Sequence, residues 1–77
     1  RPTLVQYSIP ERTRVAVDII RRREGIPDTL RSMLVRAVQD GGTYSVSLDG
    51  IPLDPGAYTI RLTTSEKSIE QQIRVGQ

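Results

Sequence analysis

The sequence predicts an all-β fold, a small antiparallel β-sandwich of about six or seven strands. Apolar and polar residues alternate with period two over most of the chain, as in strands that bury one face. Turn residues separate these runs at intervals of roughly 8 to 15 residues, without the strand–helix alternation of a parallel sheet. Because 77 residues have room for only one hydrophobic core, we expect residues 1–77 to form a single domain.

Five runs carry the alternation. Their apolar members are Val5, Tyr7 and Ile9; Val15, Val17 and Ile19; Tyr44, Val46 and Leu48; Tyr58, Ile60 and Leu62; and Ile69, Ile73 and Val75. We expect these side chains to face the core, with the tyrosine hydroxyls reaching backbone partners at the sheet ends. Gln71 breaks the pattern in the last run.

Glycine, proline and aspartate mark the turns between the runs. The turn sequences are Gly41-Gly42, Asp49-Gly50, Asp54-Pro55-Gly56 and the polar loop Thr64-Ser65-Glu66-Lys67. Proline fixes φ near −65° at the first corner of a turn, and glycine adopts the positive φ of the next position. We therefore expect a positive φ at Gly56, directly after Pro55.

One segment is compatible with two structures. Over residues 28–39, apolar residues recur at the i, i+3, i+4, i+7 spacing of a helix face, and Asp28 is placed to cap the N-terminus of that helix. The alternative is a short strand within Ser32–Val35, followed by a loop to Gly42. The periodicity alone favours the helix.

Composition argues against catalysis and against metal or cofactor binding. The chain has no Cys and no His, so the usual zinc sites and Ser–His–Asp triads cannot form. Asp49 and Asp54 have no third acid nearby and are explained by turn chemistry rather than by calcium binding. We therefore expect no catalytic residue, no metal site and no cofactor.

Charge and aromatic content also limit the partners. The chain contains eleven Lys and Arg residues and nine Asp and Glu residues. The run Arg21-Arg22-Arg23 is followed at once by Glu24, which favours a solvated loop over a phosphate or nucleic-acid site. The three Tyr residues belong to the inward series, so carbohydrate binding on an outer aromatic platform ranks below protein binding. No run approaches the ~18 apolar residues of a membrane helix, so we expect no membrane insertion.

Several motifs follow one another in a recognisable order. They are the opening β run of residues 2–10, the strand Val15–Ile20 followed by Gly25, the stretch Leu34–Tyr44, the strand ending in Asp49-Gly50, and Leu53-Asp54-Pro55-Gly56-Ala57-Tyr58. This succession resembles the immunoglobulin-like C-terminal sorting domain of proteins exported by the bacterial type IX secretion system. It is also similar to the immunoglobulin-like domain of flagellar hook-capping proteins. Leu48 stands where the family usually has Trp.

The resemblance has consequences for fold and function. It implies an immunoglobulin-like sandwich in which Asp49, Gly50, Pro55, Gly56 and Tyr58 are structural turn residues. It places Arg31–Val35 on a strand, in disagreement with the helix that the periodicity favours. It also implies a domain, secreted or at the cell surface, that directs or anchors a larger exported protein. The hook-cap similarity implies the alternative of a structural module within a surface or filamentous assembly.

The terminal strands are the predicted protein-binding surface, because the edges of an open sandwich offer unpaired backbone groups. Outward positions of the last strand are polar, and Leu4 lies on the face of the first strand opposite Val5 and Tyr7. The candidate partner-binding residues are Leu4, Gln6, Ser68, Glu70, Gln72 and Arg74.

Overall fold

The computed structural model describes residues 4–76, which form six strands and no helix. The strands are β1 (Leu4–Ile9), β2 (Thr13–Arg23), β3 (Ile26–Gln39), β4 (Gly42–Ser47), β5 (Gly56–Thr63) and β6 (Ser68–Val75). The predicted all-β class is confirmed. Pro2 and Thr3 of the opening motif, and Gln77, lie outside the described residues.

The strands form two antiparallel sheets. β1 pairs with β4 in one sheet, and the other has the order β3-β2-β5-β6. Two hairpins, β2–β3 and β5–β6, are joined through the pairing of residues 16–20 of β2 with residues 59–63 of β5. Because neither sheet closes on itself, strands β1, β3, β4 and β6 each have an edge without a paired strand in the part of the chain that the structure describes.

The core lies between the sheets and is formed by the predicted inward series. Val15, Val17 and Ile19 of β2 are at most 1% exposed. The other buried apolar members of this cluster are Tyr7, Ile9, Leu48, Tyr58 and Ile60. Leu48, the last apolar residue before the Asp49-Gly50 turn, thus contributes a core side chain. Ile69 departs from the prediction, since 47% of its surface is exposed.

The three tyrosine hydroxyls are hydrogen-bonded. Tyr58 and Tyr44 each donate to the carbonyl oxygen of the residue four positions earlier, Asp54 and Asp40 respectively, at 2.6 Å. This is the geometry of the tyrosine corner of immunoglobulin-type sandwiches. Tyr7 differs, because its hydroxyl donates to the side-chain oxygen of Gln39 at 2.7 Å. The expected backbone partner is therefore confirmed for two tyrosines and wrong for Tyr7.

Each of the three predicted glycine turns contains a glycine with positive φ, namely Gly42, Gly50 and Gly56. Gly50 has φ 84°, and the amide of Ile51 donates to the carbonyl of Leu48 across the Asp49-Gly50 turn. Gly56 has φ 143°, as predicted, and is the first residue of β5. A Cβ atom at Gly56 would lie 2.8 Å from Nη2 of Arg21, so a side chain at this position would displace that guanidinium.

Residues 28–39 are extended, and the helix favoured by their periodicity is wrong. β3 is also longer than the expected Arg31–Val35, because it pairs with β2 along its whole length. Val17 and Asp18 pair with Val35 and Met33, so Leu34 is an extra residue in β3. Such a bulge shifts the side-chain alternation by one position. The helix-like spacing of apolar residues therefore arises in a bulged strand.

Candidate interaction surface

A groove runs between β1 and β6 along one side of the sandwich. β1 contributes Leu4, Val5, Gln6 and Ser8 to its walls, β6 contributes Ile69, Gln71 and Ile73, and Val17, Ile60 and Leu62 form its floor. Two adjoining depressions of about 180 and 210 Å³ make up this terminal-strand groove. A third, of about 220 Å³, continues it past Ser8 and Ile69.

The topology explains why this groove is open. Among residues 4–76, β1 pairs only with β4 and β6 pairs only with β5, so these two strands belong to different sheets and do not pair with each other. Each presents one unpaired backbone edge. The floor is core, since Val17 is 1% and Ile60 5% exposed. The groove therefore combines backbone hydrogen-bonding groups with apolar side chains, as sites that accept an added strand do.

The structure divides the predicted partner-binding residues into two groups. Leu4, which is 60% exposed, and Gln6 line the terminal-strand groove. The four residues of β6 are exposed on the outer face of the four-stranded sheet; they are Ser68, Glu70, Gln72 and Arg74. Since side chains alternate along a strand, the groove is lined by the opposite series of β6, which is Ile69, Gln71 and Ile73. The alternating pattern predicts that this series faces the core, although the polar side chain of Gln71 is typical of a solvent-accessible position.

Glu70 belongs to an ion-pair network across the outer face. Arg22 Nη1 lies 2.9 Å from Glu70 Oε1, and Arg61 Nε lies 3.0 Å from Glu70 Oε2. Arg22 Nη2 also lies 2.8 Å from Asp28 Oδ2. The hydrogen bonds from Arg22, followed by those from Arg61, lower the pKa of Glu70. The hydrogen bond from Arg22 lowers the pKa of Asp28. The network joins all four strands of the sheet.

This network makes stability depend on acid pH. A carboxylate whose pKa is lowered by folding stabilises the native state above its ordinary pKa, and this contribution is lost as the pH falls through the lowered folded pKa. We expect the urea midpoint to fall as the pH is lowered below the ordinary Glu value of 4.5. Glu70→Gln should flatten this dependence. The control Glu66→Gln, which removes a carboxylate without an ion pair within residues 4–76, should retain it. Equal pH profiles for the two variants would contradict this role of Glu70.

Strand β3 is a second exposed edge, which sequence analysis missed. Four of its apolar residues are exposed: Ile26 (52%), Leu30 (53%), Met33 (61%) and Val38 (49%). Leu30 and Met33 pair with Ile20 and Asp18 of β2, on the outer face of the sheet. The sequence signal for this exposed edge is the pair of apolar residues at i and i+3, Leu30 and Met33, but that spacing also predicts the buried face of a helix. Long apolar edge strands favour pairing with another chain, whereas bulges oppose it.

Neither a metal-ligand cluster nor a membrane-spanning helix is found within residues 4–76. The described residues include no group of three or more acidic side chains placed to hold a metal ion. They also include no helix long and apolar enough to cross a membrane. Comparison with protein-family models, with curated proteins and with solved structures gives no match to this chain. Function is therefore inferred from the sequence motifs, the terminal-strand groove and the exposed edge of β3.

Proposed function

We propose that this chain is a non-catalytic domain that directs or anchors a larger exported protein at the bacterial cell surface, and that it does so by binding a partner protein in the terminal-strand groove. The observation that carries the proposal is the open groove between β1 and β6, with backbone edges on both sides and core residues beneath. The order of the turn motifs, which resembles that of sorting domains, supports the export role.

The partner segment we propose is an extended strand of the secretion or attachment machinery. Such a strand forms main-chain hydrogen bonds with an exposed sheet edge, while every second side chain enters the groove. Leu62 and Ile69 offer apolar contacts to those side chains. Burial of apolar surface contributes roughly 25 cal/mol per Å², so the segment should carry apolar residues at alternate positions.

A charge placed in the groove tests the proposal. In a fusion of a signal peptide, a reporter and this chain, Ile69→Lys should abolish delivery of the reporter to the surface of a competent host, because the ammonium group would enter the groove where apolar side chains of the added strand bind. Ile69 is half exposed, so the domain should still fold, which circular dichroism would verify. The matched control is Ser68→Lys, the neighbouring position on the outer face, which should leave delivery intact.

The outcomes separate the parts of the proposal. Retention of the unmodified fusion in the periplasm would contradict the export role. Delivery of a folded Ile69→Lys fusion at the normal level would contradict the groove as the recognition surface. Deleting residues 69–77 is a poorer test, because β6 pairs with β5 from Gly56 to Thr63 and its removal would disrupt the fold itself.

A structural role in a surface or filamentous assembly is the second candidate, and the exposed apolar edge of β3 favours it. In that case the fusion would stay in the periplasm and co-purify with a partner in fixed stoichiometry. Met33→Lys, at the most exposed apolar position of β3, would break such a complex, whereas Ile69→Lys would not.

A further inference from the structure

Arg21, Arg22 and Arg23 lie in β2 and not in the expected solvated loop, and they are divided between the two faces of the sheet. Arg22 points to the outer face, where Asp28 and Glu70 neutralise it. Because side chains alternate along a strand, Arg21 and Arg23 lie on the opposite face. There they line a cleft of about 250 Å³ together with Arg31 of β3.

This arginine cleft is unbalanced in charge. Asp54 is the one acidic residue in its lining, against the three guanidinium groups. Within the described part of the chain, Arg21, Arg23 and Arg31 form no ion pair. The remaining walls come from Ile26, Pro27 and Thr29, so part of the cleft is apolar. Like charges held together without counter-charges attract an anion.

Arg21 is held in place by its neighbours. Its Nη1 donates to the hydroxyl of Tyr58 at 2.6 Å, and its guanidinium carbon lies 4.5 Å from the centre of the Tyr58 ring. The absence of a side chain at Gly56 leaves room for this guanidinium. Neither contact neutralises the charge. Arg21 is therefore a preorganised donor, which lowers the entropic cost of binding.

We propose that the arginine cleft binds a phosphate-type oxyanion. Guanidinium groups match the geometry of phosphate oxygens and form charge-assisted hydrogen bonds with them. A group with three or more oxygens and at least two negative charges can bond to all three arginines and offset more of their charge than a single carboxylate can. The phosphate group comes either from a free ligand or from a lipid headgroup, and the cleft recognises the same chemistry in both.

Titration with pyrophosphate at constant ionic strength tests the free-ligand source. We expect saturable NMR shifts at the side-chain Nε of Arg21, Arg23 and Arg31. Sedimentation with phosphatidic acid vesicles, compared with phosphatidylcholine vesicles, tests the lipid source. Binding in either arm supports the proposal and identifies the source, and absence of binding in both overturns it. The constant ionic strength matters because exposed charges are screened by salt.

Single substitutions distinguish specific binding in the arginine cleft from non-specific attraction by the net charge of the domain. Arg31→Gln and Arg23→Gln should each weaken binding about tenfold, the size expected for one hydrogen bond to a charged group. Both residues are exposed, so the fold should be unaffected. The control Arg14→Gln removes the same charge from an exposed position on the outer face of β2 and should leave binding unchanged. An equal loss in the control would mean non-specific attraction and would overturn the site.

Discussion

Replacing Tyr58 with alanine is expected to lower the free energy of unfolding by about 3–5 kcal/mol, the cost of removing a buried aromatic side chain. Tyr58 is 2% exposed and is the largest fully buried side chain among residues 4–76. It also connects the Asp54 carbonyl to Arg21. A domain of this size has little stability in reserve, so the variant should be largely unfolded in urea concentrations that leave the parent native.

Tyr58→Phe measures the contribution of the hydroxyl to stability separately from that of the ring. It leaves the Asp54 carbonyl without its partner, for an expected loss of about 1–3 kcal/mol in urea unfolding. The control is Tyr44→Phe, which removes the same i−4 hydrogen bond at a more exposed position and should cost less. A Tyr58→Phe variant as stable as the parent would show that the hydroxyl bond at this corner does not stabilise the fold.

Gly56→Val is expected to cost about 1–3 kcal/mol, because a β-branched residue is strained at positive φ. At φ 143° the new Cβ would also approach Nη2 of Arg21 to 2.8 Å. The guanidinium is the end of a flexible side chain, so it should move off the Tyr58 ring. The variant should therefore lose Arg21 preorganisation as well as stability.

Urea unfolding measures the first effect, and the side-chain NMR signal of Arg21 reports the second. Ala57→Val is the matched control, since it adds the same side chain at the next, exposed position of β5 and should change stability by less than about 0.5 kcal/mol. A Gly56→Val variant with the stability of the parent would mean that this position adopts ordinary strand geometry.

The sequence by itself determined the local features of this protein. Val15, Val17 and Ile19 alternate strictly, and one buried face follows because successive side chains of a strand point to opposite sides. The corner at Gly56 and Tyr58 could be predicted for a similar reason, since proline fixes φ and glycine permits a positive φ wherever they occur. Both signals act over a few residues and do not depend on which strands pair.

Tertiary structure alone decided the pairing and everything that depends on it. Leu30 and Met33 have the spacing of a helix face, and only pairing with β2 reveals the bulge that makes them exposed residues of an edge strand. Leu4 and Ile69 lie 65 positions apart in the chain, and the groove between them exists because β1 and β6 join different sheets. Arg31 and Arg21 share one cleft because β3 pairs with β2. Strand pairing depends on the summed burial of side chains that are distant in sequence, so the pairing cannot be predicted from any local sequence pattern.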